Sequence, residues 1–291
     1  MTQPMTQPMP QPVPQPLVLR CDGRPVARYV HPDDLPARLS PRPYLHPVTT
    51  LGGTPVTEAR PADHLHHLGV GVAVPDVAGH NFWGGRTYVR DRGPVELDNH
   101  GEQRHTGWKL RDADGFVEDL VWTAGGAEVL RERRTVAAVP LTASAWALDT
   151  VFALTNTGDE DLSIGSPATN GRPGAGYGGF FWRAPQHPAG PPAVFTADAE
   201  GEAAVHGRPA GWLALRGAGW TLVFAGATGD TRRDPWFVRT GEYPGVGSSL
   251  AWSARLPLPA GESAVRRVVT VVADGALDRA EAAALVRKAL P

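Results

Sequence analysis

The sequence is poor in the features that mark secreted, membrane-spanning and nucleic-acid-binding proteins. It holds a single cysteine, Cys21, so no disulfide can form within the chain. No apolar run approaches the roughly 18 residues that a membrane-spanning helix requires, and the N-terminus lacks the basic start and apolar stretch of a secretory signal. The formal net charge of -2 provides no positive excess for holding a phosphate backbone. We therefore expect a cytoplasmic protein that binds neither nucleic acid nor a membrane.

Signatures of nucleotide-dependent and serine-hydrolase chemistry are also missing. The chain has no Gly-x-x-x-x-Gly-Lys phosphate loop and no Gly-x-Ser-x-Gly elbow. The glycine-rich segment at residues 171–176 lacks the strand-turn-helix setting of a dinucleotide fingerprint. The chemistry of this protein is therefore expected to rest on other groups.

What the chain does contain is a succession of short β-prone segments separated by glycine, proline and aspartate. Such segments occupy residues 17–20, 24–30, 129–137, 146–155, 212–216, 220–225 and 266–273. Helical patterns do not alternate with them and no fixed repeat recurs, which argues against a parallel sheet and against a propeller. We predict an all-β fold, a large antiparallel β-sandwich that forms a single domain over residues 17–291.

The two ends of the chain differ from this pattern. Residues 1–16 are rich in proline and glutamine, which favours extended, solvated backbone, so we predict a disordered tail. Residues 278–290 are rich in alanine and leucine, and Asp278 is a suitable N-cap. A short C-terminal helix is expected there.

The most informative segment is Asp63-His64-Leu65-His66-His67, which holds three of the ten histidines. Histidine exchanges protons near neutral pH and is the commonest protein metal ligand, so the segment indicates acid-base or metal chemistry. If it is extended, His64 and His66 share one face of the strand, and Asp63 and His67 share the other. Packing or surface positions are the competing interpretation.

A second polar segment, Asn99 to His105, supplies further candidates. His105 would complete a three-histidine set with His64 and His66 for one divalent metal ion, and Glu102 would serve as a base. For His100 and Glu102 the competing interpretation is an ordinary surface turn, because the Asn-His-Gly-Glu sequence has that composition.

Other segments combine charged groups with aromatic rings. Prolines stiffen the segment that carries Arg42, Tyr44 and His46, which suits recognition of a polyhydroxylated or anionic ligand. Aromatic faces cover the C-H surface of a sugar and charged groups bond its hydroxyls. Further substrate-binding candidates are Trp83, Tyr177, Arg183, Asp234, Trp236 and Arg239, whereas Phe180 and Phe181 are expected to be core residues.

Four segments together resemble the PmoA-like family. They are Arg42 to Pro47, Asp63 to Gly69, Asn81 to Gly85 and Asp234 to Phe237. Members of that family show Asp-His-Pro-His-His-Arg-Gly where this chain has leucines at 65 and 68, and the resemblance covers roughly residues 17 to 290. It implies a galactose-mutarotase-like supersandwich and a role in bacterial sugar catabolism. The inherited label, methane oxygenase, refers to a membrane enzyme subunit and is not expected to apply to a chain without an apolar span.

These observations favour a carbohydrate-active enzyme, an epimerase, lyase or hydrolase, that transfers protons on a small sugar or an oxidised (keto) glycoside. His64 or His67 would remove a proton, His105 or Glu102 would return one, and an arginine among positions 42, 183 and 239 would stabilise the oxyanion. Two alternatives stay open. One is a metal-dependent oxidoreductase that uses the same histidines, and the other is a non-catalytic sugar-binding or sensing protein. The pattern specifies no oligomeric state.

Overall fold

The computed structural model describes residues 17–32, 34–188 and 190–290, so the tail predicted at residues 1–16 lies outside the described part. Strands dominate this part of the chain, which confirms the all-β prediction. In chain order they are β1 (Leu17–Cys21), β2 (Arg24–Val30), β3 (Tyr44–Val48), β4 (Val70–Ala73), β5 (Asp76–Val77), β6 (Thr87–Val89), β7 (Gly93–Val95), β8 (Gly101–Arg111), β9 (Gly115–Ala124), β10 (Ala127–Thr142), β11 (Ala145–Thr155), β12 (Leu162–Gly165), β13 (Gly179–Arg183), β14 (Ala193–Phe195), β15 (Leu213–Gly217), β16 (Trp220–Gly226), β17 (Trp236–Arg239), β18 (Gly245–Ser249), β19 (Leu256–Leu258) and β20 (Ser263–Asp274). The helices are α1 (Glu202–Val205), α2 (Gly229–Arg233) and α3 (Arg279–Ala289), with a short 3-10 turn at Ala37–Leu39.

Two large antiparallel sheets form the sandwich. The seven-stranded sheet has the order β1-β2-β3-β4-β13-β18-β17, and the eight-stranded sheet has the order β14-β15-β16-β20-β11-β10-β9-β8. Smaller sheets β19-β12-β5 and β6-β7 lie among the connections. The predicted antiparallel β-sandwich is therefore confirmed.

The core lies between the two large sheets and follows the two-residue period of the strands. Along β9 and β11 every second side chain is buried, as expected when alternate residues face the opposite sheet. Trp182 on β13 and Phe224 on β16 meet across the core with ring centroids 5.6 Å apart. One apolar cluster contains buried residues from both sheets.

The C-terminal helix covers the outer face of the eight-stranded sheet. Asp278 accepts a hydrogen bond from the backbone N–H of Glu281, whose side chain accepts one in return, so the helix begins with a capping box. Ala282 packs among buried residues of the sheet, including Val223 and Val271. The predicted helix and its N-cap are confirmed.

The outer face of the seven-stranded sheet is unusually aromatic and charged. Because Trp182 and Trp236 face the core, the alternation places Phe181 and Arg183 on β13, and Phe237 and Arg239 on β17, on the opposite side. Phe180 belongs to the core as expected, whereas Phe181 packs with this outer group. The sheet therefore presents a rigid platform to the loops above it.

Candidate functional site

The histidine-rich segment forms a turn rather than the extended strand considered above. It lies between β3 and β4, where the N–H of His64 donates to the carbonyl of Pro61 at 3.0 Å and the N–H of His67 donates to that of His64 at 2.9 Å. The two-face alternation expected for a strand is therefore wrong. We call residues 61–68 the histidine turn.

The turn brings three imidazole rings together. The rings of His64 and His67 stack with centroids 4.6 Å apart, and the His66 ring lies 5.7 Å from that of His64 and 4.8 Å from that of His67. His67 also packs against Phe181, at 5.1 Å. Local backbone geometry thus converts a sequence cluster into a spatial cluster seated on the aromatic platform.

Arg42 holds the histidine turn in place from beneath. This buried guanidinium donates to the carbonyl oxygens of His66 at 2.7 Å, Trp83 at 3.0 Å and Ser40 at 2.9 Å. Burial and the charge of Arg134 lower the pKa of Arg42 to about 9. The residue predicted to bind substrate is instead a support that ties the histidine turn to the neighbouring loop.

That neighbouring loop approaches the turn closely. The side chain of Asn81 accepts hydrogen bonds from the N–H groups of Trp83 and Gly84, at 2.8 and 2.9 Å. Gly84 has φ +98°, and a Cβ there would lie 2.8 Å from Cβ of His66. Only glycine allows the loop to come so near.

A cavity of about 430 Å³ opens between the turn, this loop and the platform. Its polar and charged lining is drawn from several separate segments of the chain. The lining residues are Asp63, His64, His66, His67, Trp83, Gly84, Arg86, Pro94, Arg172, Ala175, Tyr177, Phe237, Arg239, Glu242 and Tyr243. We call this cavity the histidine pocket.

An Asp-His pair lies at the pocket wall. Oδ2 of Asp63 is 2.9 Å from Nδ1 of His64, and both side chains are partly exposed. Burial opposes ionisation of Asp63, but the hydrogen bond from His64 and the charge of Arg183 lower its pKa overall. A carboxylate only accepts, so the hydrogen-bond network assigns the proton of a neutral His64 to Nδ1 and leaves Nε2 with a free lone pair.

Burial keeps His66 and His67 neutral. Burial, followed by the charge of Arg42, lowers the pKa of His66 to about 3. Burial also lowers the pKa of His67 far below its ordinary value. Nη1 of Arg183 lies 3.5 Å from Nδ1 of His67, and since a guanidinium only donates, Nε2 of His67 carries the proton. The hydrogen bonds thus place a proton on Nδ1 of His64 and on Nε2 of His67, so the two rings present different nitrogens as donors.

Arg183 organises the pocket floor. Its fully buried guanidinium binds Oε2 of Glu58 at 3.0 Å, lies 3.7 Å from Oδ2 of Asp63 and stacks on the ring of Tyr243 at 4.8 Å. Burial raises the pKa of the Tyr243 hydroxyl, so the phenol stays protonated. This arrangement fixes the carboxylate that orients His64.

Six of the predicted residues lie in the histidine pocket, namely His64, His66, His67, Trp83, Tyr177 and Arg239. The sequence pattern does not single out Arg86, Arg172, Glu242 or Tyr243, which also line it. Tyr243 and Glu242 follow the aromatic segment at β17 in a glycine-rich stretch, and this sequence pattern could have identified them. Arg86 follows directly after Gly84 and Gly85, and Arg172 sits in the glycine-rich segment rejected as a nucleotide motif.

Four other predicted residues do not line the pocket. Nδ1 of His46 is 3.0 Å from the hydroxyl of Thr57, and Tyr44 packs against a small apolar cluster with Leu39. Asp234 pairs with Arg266 at 2.6 Å, and Trp236 is a core residue whose indole N–H donates to Ala210.

The predicted partnership of His105 with the histidine turn is wrong. His105 lies on β8, where Nδ1 is 2.6 Å from Oε1 of Glu118, and the ligand atoms of His64, His66 and His105 form no common group among the residues described. Glu102 pairs with Arg104 at 3.0 Å and borders a different cavity. Nε2 of His100 lies 2.7 Å from the carbonyl oxygen of Gly85, so His100 supports the glycine loop.

Comparison with known proteins identifies the family. Residues 16–287 match the sequence model of DUF6807, a family of unknown function, so the chain belongs to that family. No curated protein matches the chain. The resemblance to the PmoA-like family is untouched by these findings and stays a prediction.

Among solved structures, the chain is similar to parts of larger lyases. The heparan sulfate lyase HepC from Pedobacter heparinus matches with a TM-score of 0.29 and 9% identity, over 61% of this chain and 22% of that protein. A polysaccharide lyase matches with a TM-score of 0.37 and 11% identity, over 90% of this chain and 34% of that protein. The chain therefore spans about a third or less of the length of these lyases. Within residues 17–32, 34–188 and 190–290, no helix has the length and apolarity needed to cross a bilayer.

Proposed function

We propose that this DUF6807 member binds a small carbohydrate in the histidine pocket and transfers a proton on it. The observation that carries the proposal is the Asp63–His64 pair, 2.9 Å apart, at the wall of a cavity of about 430 Å³. That volume lies in the usual range for small-ligand sites. A base oriented by a carboxylate beside a cavity is the arrangement that general-base chemistry requires.

The rest of the lining supports a sugar as the ligand. Trp83, Tyr177 and Phe237 offer aromatic surface for the C-H face of a pyranose, and the ring of Tyr177 packs against both of the others. Arg86, Arg172 and Arg239 face the same cavity and can bond hydroxyl, carbonyl or carboxylate oxygens. Three arginines against the carboxylates of Asp63 and Glu242 favour a substrate that carries or develops negative charge.

The proposed step begins at Nε2 of His64. This lone pair removes a proton from a carbon next to the carbonyl of an oxidised sugar, or from an anomeric hydroxyl. Asp63 stabilises the imidazolium that results, and an arginine of the pocket stabilises the oxyanion. The proton on Nε2 of His67 and the phenol of Tyr243 are the neutral donors available in the pocket. An epimerase, a lyase and a hydrolase acting on a keto sugar all share this first step.

A metal-dependent oxidoreductase at the same histidines has less geometric support. The ring nitrogens of His64, His66 and His67 do not form a common ligand group in the described part of the chain. Arg42 and Arg183 also approach the cluster from beneath, and their positive charge opposes a cation there.

Proton exchange with solvent tests the proposal. We would incubate the protein in D₂O with D-glucose, D-galactose and a methyl glucoside oxidised to a ketone at C3, and follow C-H signals and product formation by NMR. We expect deuterium incorporation or turnover with at least one probe, and a loss of about 100-fold or more in His64→Gln. His80→Gln, a substitution away from the pocket lining, should leave the rate unchanged.

The outcomes separate the hypotheses. Equal rates in His64→Gln and the wild type would contradict the role of the Asp63–His64 pair. Saturable binding of a probe without exchange or turnover would favour a sugar-binding or sensing protein. An absence of binding to every probe would overturn the proposed sugar specificity.

A further inference from the structure

A second cluster of histidines lies at a different place in the fold. It consists of His31, directly after β2 of the seven-stranded sheet, and His105 and Glu118, on β8 and β9 of the eight-stranded sheet. Nε2 of His31 and Nδ1 of His105 each lie 2.6 Å from the same oxygen, Oε1 of Glu118. These three ligand atoms lie within 4.8 Å of one another.

The carboxylate of Glu118 is fully buried. Its side chain has no exposed surface. The Tyr29 hydroxyl donates to the second oxygen, Oε2. A buried negative charge requires a cation close by.

The buried guanidinium of Arg134 pairs directly with a different carboxylate. Arg134 binds both oxygens of Glu132, at 2.7 and 2.8 Å, and donates to Tyr29 rather than to Glu118. Among the described residues, the ion pairs of Glu118 are those with the two histidines. Close compensation of the Glu118 charge therefore has to come from the two histidines, through a proton, or from a metal ion bound between them.

Two imidazolium rings balance this charge poorly. The rings of His31 and His105 are only 5.1 Å apart, so their positive charges would repel each other. In the absence of an ion, the ring nitrogens 2.6 Å from Oε1 carry the protons that they donate to the carboxylate. One divalent cation would displace these protons, accept a lone pair from each neutral imidazole and bind one carboxylate oxygen. It would have the two-histidine, one-carboxylate ligand set that zinc and related transition metals favour, whereas Ca²⁺ and Mg²⁺ prefer oxygen ligands alone.

We infer that His31, His105 and Glu118 form a binding site for one divalent transition-metal ion, with Zn²⁺ the best match to the donors. The hydroxyl of Tyr29 orients the ligating carboxylate through Oε2, as outer partners of metal ligands commonly do. The His31 and His105 side chains are 11% and 22% exposed, so the ion can enter from solvent.

The position of the site assigns it a structural role. Its ligands come from both large sheets, so a bound ion would connect their edges across the rim of the core. Trp108 packs on both imidazoles, with ring centroids 5.6 Å from that of His31 and 4.7 Å from that of His105. This site is separate from the histidine pocket, and the inference does not depend on the proposed sugar chemistry.

The test measures zinc retained by the full chain after chelator treatment, reloading with ZnCl₂ and dialysis. We expect about one zinc per chain in the wild type and a rise in melting temperature of about 5 °C with zinc in about 100-fold excess over Kd. Both effects should disappear in His31→Ala and His105→Ala. They should persist in His80→Ala and in His66→Ala, which alter histidines outside the cluster.

Cobalt substitution gives a readout that does not depend on stability. Co²⁺ bound to nitrogen and oxygen ligands should produce visible absorption bands in the wild type, and these should be absent in His31→Ala and His105→Ala. Zinc retained equally by both cluster variants, or lost on His66→Ala alone, would overturn the assignment. A wild type that retains no zinc and shows no cobalt bands would overturn it as well.

Discussion

The guanidinium of Arg42 donates to the main-chain carbonyl of His66 at 2.7 Å, so a buried cation supports the backbone that carries the pocket histidines. The same group bonds the carbonyl oxygen of Trp83 across the neighbouring loop. Two walls of the histidine pocket are therefore positioned by one side chain that does not line it.

Replacing Arg42 should destabilise the fold and disorder the pocket. Arg42→Met keeps much of the side-chain volume but leaves several buried carbonyl oxygens without a hydrogen-bond donor. Each unsatisfied oxygen costs about 1–3 kcal/mol. We expect a loss of about 3 kcal/mol in the free energy of unfolding, measured by urea denaturation. The exposed neighbour Arg38 provides a matched control, because Arg38→Met should change stability by less than about 0.5 kcal/mol. Similar losses in the two variants would refute the supporting role of Arg42.

Two variants separate the steric effect of the close approach at Gly84 from the effect of its positive φ. Gly84→Ala would place Cβ 2.7 Å from the carbonyl oxygen of Leu39 and 2.8 Å from Cβ of His66, at φ +98°. Gly79 has a similar φ of +90°, but a Cβ at that position would meet no heavy atom within 4 Å, so Gly79→Ala reports the conformational penalty alone. We expect Gly84→Ala to lose more stability than Gly79→Ala and to shift the His66 ring signals in NMR spectra. Equal losses would mean that the contact is not tight.

The neutral state of His66 predicts a pH dependence of stability. Its folded pKa of about 3 lies below the unfolded value near 6.5, so the unfolded chain binds the extra proton as the pH falls. The stabilisation is complete above about pH 6.5 and is lost progressively towards about pH 3. At about pH 5 the loss from this group is about 2 kcal/mol, from about 1.4 kcal/mol per pH unit.

Urea unfolding at about pH 7.5 and pH 5 measures this difference. Buried His67, whose pKa is also lowered, adds a loss of the same sign. His66→Gln should flatten the pH dependence, while His80→Gln, outside the pocket, should not. An unchanged slope in His66→Gln would contradict the buried neutral state.

The pair formed by Asp234 and Arg266 should matter for stability and not for the pocket. Both side chains are about 9% exposed and their closest atoms are 2.6 Å apart. Asp234→Asn removes the carboxylate closest to Arg266, whose other partner, Asp230, is 4.0 Å away and mostly exposed. We expect a loss of about 3 kcal/mol in the free energy of unfolding. Asp230→Asn, at a mostly exposed position, is the control. A selective loss of sugar binding in Asp234→Asn without destabilisation would restore a substrate-binding role for Asp234.

Local patterns are sufficient for much of the architecture. Alternating side chains in β9 and β11 specify the strands, and the Asp278 cap with its alanine-rich segment specifies α3. The density of histidines at residues 63–67 locates one wall of the pocket without any tertiary information. These features depend on interactions within a few residues, which a sequence records directly.

The assignment of roles fails where it depends on distant contacts. Arg42, next to prolines, is predicted to bind a ligand, but its burial beneath His66 depends on a loop whose Trp83 is 41 positions away. Asp234 is misassigned for the same reason, since its partner Arg266 lies on β20, 32 positions away. The spacing of charged residues along the chain does not predict which of them will be buried.

The chain by itself determined that the protein is an antiparallel β-sandwich with a histidine-rich segment and a capped terminal helix, because periodicity and capping are local. Only the tertiary structure decided that His105 joins His31 and Glu118 instead of His64 and His66. His31 and Glu118 are 87 positions apart and come from different sheets. Strand order and the packing of one sheet on the other are set by long-range burial, so the side chains that meet at a sheet edge cannot be found from periodicity along one strand.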